Sequence, residues 1–171
     1  SSAAAGQTSG LVGHWTMDGS RINWSTNQMT DASGQGNTGQ MINLGPTTAP
    51  VAGKVGQALK FDGSTSFVRM SDAPFPSGAS PRTVSMWFKT NNTGSHRAMI
   101  HYGTGGSAKE VFFYVNVSKL NVDCFGSNWN ANTAVNDGKW HMGTFTYDGS
   151  VTRIYLDGAL VSTSNISVGT I

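Results

Sequence analysis

Arg82-Thr83-Val84-Ser85-Met86-Trp87-Phe88-Lys89-Thr90 alternates without a break. Val84, Met86 and Phe88 fall on one side of an extended chain. Thr83, Ser85, Trp87 and Lys89 fall on the other. That is the period of a strand with one face on a core. The alternation recurs at 111–117, where Val111, Phe113, Val115 and Val117 are expected inward. It recurs again at 119–126, with Leu120, Val122 and Cys124 inward. Residues 97–102 read as a further strand. Residues 139–147 and 151–157 are joined by Asp148-Gly149-Ser150, and Asp157-Gly158 leads into a last strand at 159–164. Asp-Gly pairs between alternating segments signal hairpins. Upstream, 57–62 and 66–71 flank Gly63-Ser64 and are expected to pair as a hairpin, with Phe61 as a core residue beside the turn. Residues 11–17 are expected to form a first strand. Residues 18–56, rich in Gly, Asn, Ser, Thr and Pro, read as long loops with brief strands. No stretch keeps a helical period, so the fold class is all-β, an antiparallel sandwich or barrel.

Composition narrows the function. The 171 residues suffice for one sandwich domain, taken as 11–171, after a small, polar linker or processed N-terminus at 1–10. Charged residues make up 12% of the chain, against about 25% in ordinary domains. The net charge is +2 and the basic residues are scattered, which points away from nucleic acid and anionic membranes. Cys124 is the single cysteine, so neither an intrachain disulfide nor a cysteine-based zinc site can form. No apolar run approaches the roughly 18 residues of a membrane helix.

Three segments together resemble the laminin-G-like branch of the concanavalin A-like superfamily. They are Gly10-Leu11-Val12-Gly13-His14-Trp15-Thr16-Met17-Asp18-Gly19 with Asp31-Ala32-Ser33-Gly34-Gln35-Gly36-Asn37; Gly53-Lys54-Val55-Gly56-Gln57-Ala58-Leu59-Lys60-Phe61-Asp62-Gly63; and Asn136-Asp137-Gly138-Lys139-Trp140-His141-Met142-Gly143-Thr144-Phe145 running into Ile154-Tyr155-Leu156-Asp157-Gly158. The resemblance spans about residues 10 to 168. It implies a jelly-roll β-sandwich that recognises carbohydrate or a surface protein, outside the cell or at its surface, within a larger adhesin. Such domains usually close with a further strand, and no matching motif precedes Ile171. The sandwich is therefore expected to lack its last one or two strands. An alternative role follows, as an assembly module of a surface protein or filament joined by strand exchange with another chain.

Catalysis has little to work with. Glycoside hydrolysis needs two carboxylates across the scissile bond. The chain has one glutamate, Glu110, and no alternating acidic pair on a strand. His14, His96, His101 and His141 lack metal-ligand spacing, and a structural role is expected for His141. An enzyme is not expected. The resemblance implies calcium held near the first strand, with Asp18 and then Asp62 as ligands. The alternative for both carboxylates is capping of turns. For carbohydrate, Trp129 in the polar loop 126–132 is the first candidate, with Asn128 and Asn130 beside it. Trp24 and Tyr102 follow. A ring stacks on the apolar face of a sugar while amides bond its hydroxyls. Each of these rings could instead plug an end of the sandwich. Trp15, Trp87 and Trp140 are read as structural.

Overall fold

The computed structural model describes residues 10–70, 75–103, 110–123 and 128–165. Fourteen strands and one 3-10 turn make up the regular structure of these residues, and the strand pairings are antiparallel. The fold is thus all-β, as the alternation requires. Among the described residues no helix is long and apolar enough to cross a membrane. Contacts divide the chain into two compact units, Ser1–Phe75 and Pro76–Ile171.

In the second unit two four-stranded sheets form a sandwich. One has the order β7 (Arg82–Lys89), β12 (Trp140–Tyr147), β13 (Thr152–Leu156), β14 (Ala159–Ser164). The other runs β8 (Arg97–Gly103), β9 (Glu110–Asn116), β10 (Lys119–Asp123), β11 (Asn128–Ala134). Val111, Phe113 and Val115 from β9 and Leu120 and Val122 from β10 meet Phe145, Ile154 and Leu156 from the other sheet. Phe113 and Phe145 set their rings edge to face at 5.5 Å, a geometry worth about 0.5–1.5 kcal/mol beyond area burial. Gly143 makes room for this contact. A Cβ there would lie 3.1 Å from Phe113 Cζ, 3.2 Å from Leu120 Cδ2 and 3.2 Å from Phe88 Cε1. Both expected Asp-Gly turns form. Asp148 Oδ1 accepts the N–H groups of Ser150 and Val151, and Asp157 and Gly158 take φ of 51° and 86°.

The first unit is built from shorter pieces. Its four-stranded sheet runs β1 (Ile22–Asn23), β2 (Gln28–Met29), β3 (Gly39–Ile42), β6 (Phe67–Met70), and β4 (Pro50–Ala52) pairs with β5 (Gln57–Leu59). Met29, Met41, Leu44, Ala49 and Leu59 form its core.

Four local expectations are corrected. Residues 11–17 are not a strand. Side-chain bonds hold them instead: His14 N–H donates to Asp31 Oδ1 at 2.8 Å, Asn37 Nδ2 to the Val12 carbonyl at 2.7 Å, and Trp15 Nε1 to the Asn37 carbonyl at 2.8 Å. Met17, at φ 60°, breaks the extended run. Residues 57–62 and 66–71 do not pair with each other, since β5 joins β4 and β6 joins β3. The N–H groups of Ser64, Thr65 and Ser66 bond to the Asp62 carboxylate rather than to a facing strand. Phe61, expected in the core, is 40% exposed at that turn. Val117, expected inward, is 62% exposed. It and Ser118, at φ 43° and 73°, make the tight turn from β9 to β10. The inward placement of Cys124 and the closing strand at the C-terminus lie outside the described residues.

Filling the hollow at Gly143 tests the packing. Gly143→Val is expected to lower unfolding stability by about 1–3 kcal/mol through overpacking, read as a drop in the urea midpoint. An unchanged midpoint would show that the two sheets are not held at this separation.

Candidate functional site

Parity along β9 puts two more aromatic rings on the side away from the core. With Val111, Phe113 and Val115 inward, Phe112 and Tyr114 face outward. Their rings stack at 4.3 Å, 10° from parallel. His96 stacks on Tyr114 at 5.4 Å, and His101 sets its edge against Phe112 at 5.4 Å. His96, Tyr114, Phe112 and His101 therefore form one continuous ladder of rings. His101 Nε2 also meets Glu110 Oε2 at 2.8 Å.

The register extends this ladder across the sheet as two rows. His101 stands opposite Phe112, Phe112 opposite Asp123, and Asp123 opposite Asn128. Ala98 stands opposite Tyr114, Tyr114 opposite Asn121, and Asn121 opposite Asn130. Each row passes from aromatic and small residues on β8 and β9 to amides and a carboxylate on β10 and β11. Phe112 and Asp123 are half-buried, and His101 and Asn130 are exposed. Tyr114 and Asn121 are buried, so they form the floor of this face. Asn121 Nδ2 donates to the Lys119 carbonyl at 2.6 Å, which fixes its amide. The face offers ring surface for C–H groups beside acceptors and donors for hydroxyls, with little net charge.

The expected sugar-binding rings lie elsewhere. Trp129 belongs to strand β11 rather than to a loop. It stands opposite Val122 and packs on the core of the second unit. Tyr102 stands opposite Val111 and packs on the same core, with Arg82 Nη1 donating to its hydroxyl at 3.3 Å. Trp24 packs on the core of the first unit. Asn128 and Asn130 do take register positions on the ring-bearing face. Trp87, read as structural, is 43% exposed on the outer side of its own sheet, next to the hydroxyl pair Ser85 and Thr144.

Asp62 is not free for the calcium role expected of it, and Asp18 has one oxygen engaged. Asp62 accepts five hydrogen bonds, from the N–H groups of Ser64, Thr65 and Ser66 and the hydroxyls of Thr65 and Ser66, at 2.8–2.9 Å. Led by the Ser66 and Ser64 N–H groups, they hold its carboxyl far below the usual carboxylate range. Donors stand where a cation would, so Asp62 does not fit a calcium site. Asp18 Oδ1 accepts the Gln57 N–H at 2.9 Å, while Gln57 Oε1 accepts the Gly19 N–H at 2.6 Å. Gly56, at φ 60°, lies so close that a Cβ would come 2.3 Å from Asp18 Oδ1. Asp18 is a clasp between two chain segments. Among the described residues no three or more His, Cys, Asp or Glu side chains gather as a metal site.

Another titratable group closes the end of β12. His141 Nδ1 meets Asp157 Oδ2 at 2.8 Å and its Nε2 meets Asp137 Oδ1 at 3.1 Å. Asp157 Oδ1 takes the Met142 N–H at 2.8 Å. Burial opposes charge on the ring, but the bonds to Asp157 and Asp137 outweigh it and raise the His141 pKa. The Lys139 N–H, followed by His141, holds Asp137 at about 2. Burial would raise Asp157, and the Met142 N–H and His141 overcome it and lower the value. This is a structural clamp, as expected for His141.

Residues 62–171 match the family described as the concanavalin A-like lectin/glucanases superfamily, laminin-G type. The chain belongs to this family. Among solved structures, domain 4 of AbnA, a GH43 extracellular arabinanase from Geobacillus stearothermophilus, in complex with arabinotriose, is 19% identical. The match covers 87% of this chain and 76% of that one, with a TM-score of 0.64. The fold of this laminin-G-type chain is shared with it. Domains LG4-5 of the mouse laminin alpha1 chain align over 54% of this chain and 26% of that one, at 12% identity and a TM-score of 0.45. No curated protein matches the sequence.

The clamp predicts a two-sided pH profile. A raised histidine pKa stabilises the fold fully below its unfolded value near 6.5, and the contribution is lost as pH rises through the folded value. The lowered aspartates stabilise above their unfolded value near 3.9, and that contribution is lost as pH falls through their folded values. Stability from this cluster is therefore expected to peak between about pH 4 and 6.5. His141→Asn should flatten the alkaline side of a plot of melting temperature against pH. An unchanged slope between about pH 6 and 8 would remove the clamp from the stability of the fold.

Proposed function

We propose that the chain is a non-catalytic recognition module that binds carbohydrate outside the cell, as part of a larger surface protein or secreted enzyme. The outer face of β8–β11 carries this reading. Its rows set the half-buried Phe112 beside Asp123, over a buried floor of Tyr114 and Asn121, with the exposed Asn130 in register. A pyranose or furanose presents one apolar C–H face and a belt of hydroxyls, and this pairing of ring and amide matches both. Family membership supports the reading. So does the likeness in fold to a domain solved with arabinotriose. Binding rather than hydrolysis is favoured because Glu110, the one glutamate, is engaged by His101.

Titration calorimetry against a panel of plant and bacterial oligosaccharides, arabino-oligosaccharides included, tests this. One class is expected to bind, and Phe112→Ala is expected to weaken it at least about tenfold while the protein stays folded. Equal binding by Phe112→Ala with loss in Trp87→Ala would move the site to the other sheet. No binding across the panel would end the carbohydrate reading.

Recognition by these side chains needs no ion. Millimolar calcium is expected to change neither the melting temperature nor the oligosaccharide affinity. A rise in melting temperature with calcium that disappears in Asp18→Asn would restore the metal site.

A further inference from the structure

The first unit contains a cavity of about 200 Å³ lined by Asn43, Leu44, Thr48, Ala49, Lys60, Phe61, Asp62 and Ser66. It takes up the motif Lys60-Phe61-Asp62, which the ring face of the second unit does not use. Leu44 and Ala49 are core residues and give it an apolar floor. Backbone bonds hold the floor to one wall, since Ala49 N–H donates to the Gly45 carbonyl at 3.0 Å and Lys60 N–H to the Ala49 carbonyl at 2.7 Å. The Asp62 turn fixes the opposite wall, with Asp62 N–H on Ser66 Oγ at 2.7 Å. Asn43 Nδ2 is tied to the Thr65 carbonyl at 3.1 Å, which leaves its amide oxygen for a ligand.

Phe61 is the unexpected wall. A phenyl ring that is 40% exposed forfeits part of its transfer free energy, and here it does so at the edge of a cavity. Lys60, Asn43 and Thr48 also line it. Lys60 forms no ion pair with Asp62, whose oxygens are committed to its own turn. At about 30 Å³ per water the cavity has room for roughly six or seven waters, close to the bulk of one sugar ring and far below that of an oligosaccharide. A polar rim over an apolar floor, with one ring at the side, is the arrangement that orients a small hydroxylated ligand.

We infer that this cavity is a second carbohydrate subsite that takes a single sugar residue, either a free monosaccharide or the end of a glycan. Its residues are separate from those of the ring-bearing face in the second unit. Phe61 covers the C–H face of the sugar, and Asn43, Thr48 and Lys60 bond its hydroxyls.

The test uses the full chain and a panel of free L-arabinose, D-xylose, D-galactose, D-glucose and D-glucuronate. Binding is followed by saturation-transfer NMR and by titration at up to tens of millimolar. At least one sugar is expected to bind. Phe61→Ala is expected to weaken it about tenfold or more and Lys60→Gln by a smaller factor, while both variants keep the oligosaccharide binding of the ring face. Both substituted side chains are exposed, so the variants should keep the wild-type melting temperature, and Lys60→Gln serves if Phe61→Ala does not. Monosaccharide binding that survives both variants, or no binding by any sugar of the panel, overturns the inference. Either result leaves oligosaccharide binding lost in Phe112→Ala standing, so failure here and failure of the ring face are told apart.

Discussion

The second unit is organised around the hollow at Gly143. Where β12 presents only hydrogen, Phe113 from the facing sheet comes to within 3.1 Å of the position a Cβ would take and meets Phe145 edge to face. That contact sets the parity of β9. Because successive side chains of a strand point to opposite faces, fixing Phe113 inward sends Phe112 and Tyr114 outward. A slip of one residue would drive Phe112, Tyr114 and Asn116 into the core and place Val111, Phe113 and Val115 outside. It would also leave buried amide groups without partners, at a cost of about 1–3 kcal/mol each. The ring face is thus a by-product of core packing, and it cannot be altered in orientation without undoing the sandwich.

Alternation made the fold legible, because the long strands each bury one face. At β7, Val84, Met86 and Phe88 pack on the core as their spacing requires, and the turns at Asp148-Gly149 and Asp157-Gly158 form where the sequence places them. The site was also within reach of the same reasoning. Assigning Val111, Phe113 and Val115 to the core leaves Phe112 and Tyr114 as two aromatics on a face otherwise expected to be polar. The polar surroundings of Trp129 suggest a loop, yet in β11 it stands opposite Val122 and packs on the core. A tryptophan between two asparagines on a strand is an inward residue with two outward ones. A loop has no parity from which to infer this, whereas the strand β11 does.

The first unit resisted reading for a different reason. Its order comes from side chains bonding to backbone, and such bonds have no period. Asp31 is nearly buried, and its two oxygens receive the N–H groups of His14, Ser33 and Asn37 and the hydroxyl of Ser33. Asp62 gathers the turn 62–66 in the same way. Each carboxylate is satisfied by several donors, and for the buried Asp31 that is the condition under which a buried charge is tolerated. Two of the chain's few acids hold loops that a larger apolar core would otherwise have to hold. Their low charge count therefore reflects use within the fold rather than mere scarcity.

That distribution bears on recognition. Asp31 and Asp62 are consumed by backbone donors, Asp137 and Asp157 by His141, Asp148 by Arg153, and Glu110 by His101. With so many carboxylates held by local donors, the surface presents amides, hydroxyls and aromatic rings more than unengaged charge. Long-range steering by charge is then weak, and binding depends on short-range fit. Such a surface discriminates poorly between ions and well between the shapes of neutral polar ligands. It also changes little with salt, since exposed charge pairs are the contacts that salt screens. A neutral glycan is the partner class for which these properties are an advantage. The same argument disfavours polyanions, because a net charge of +2 on scattered basic residues concentrates them little.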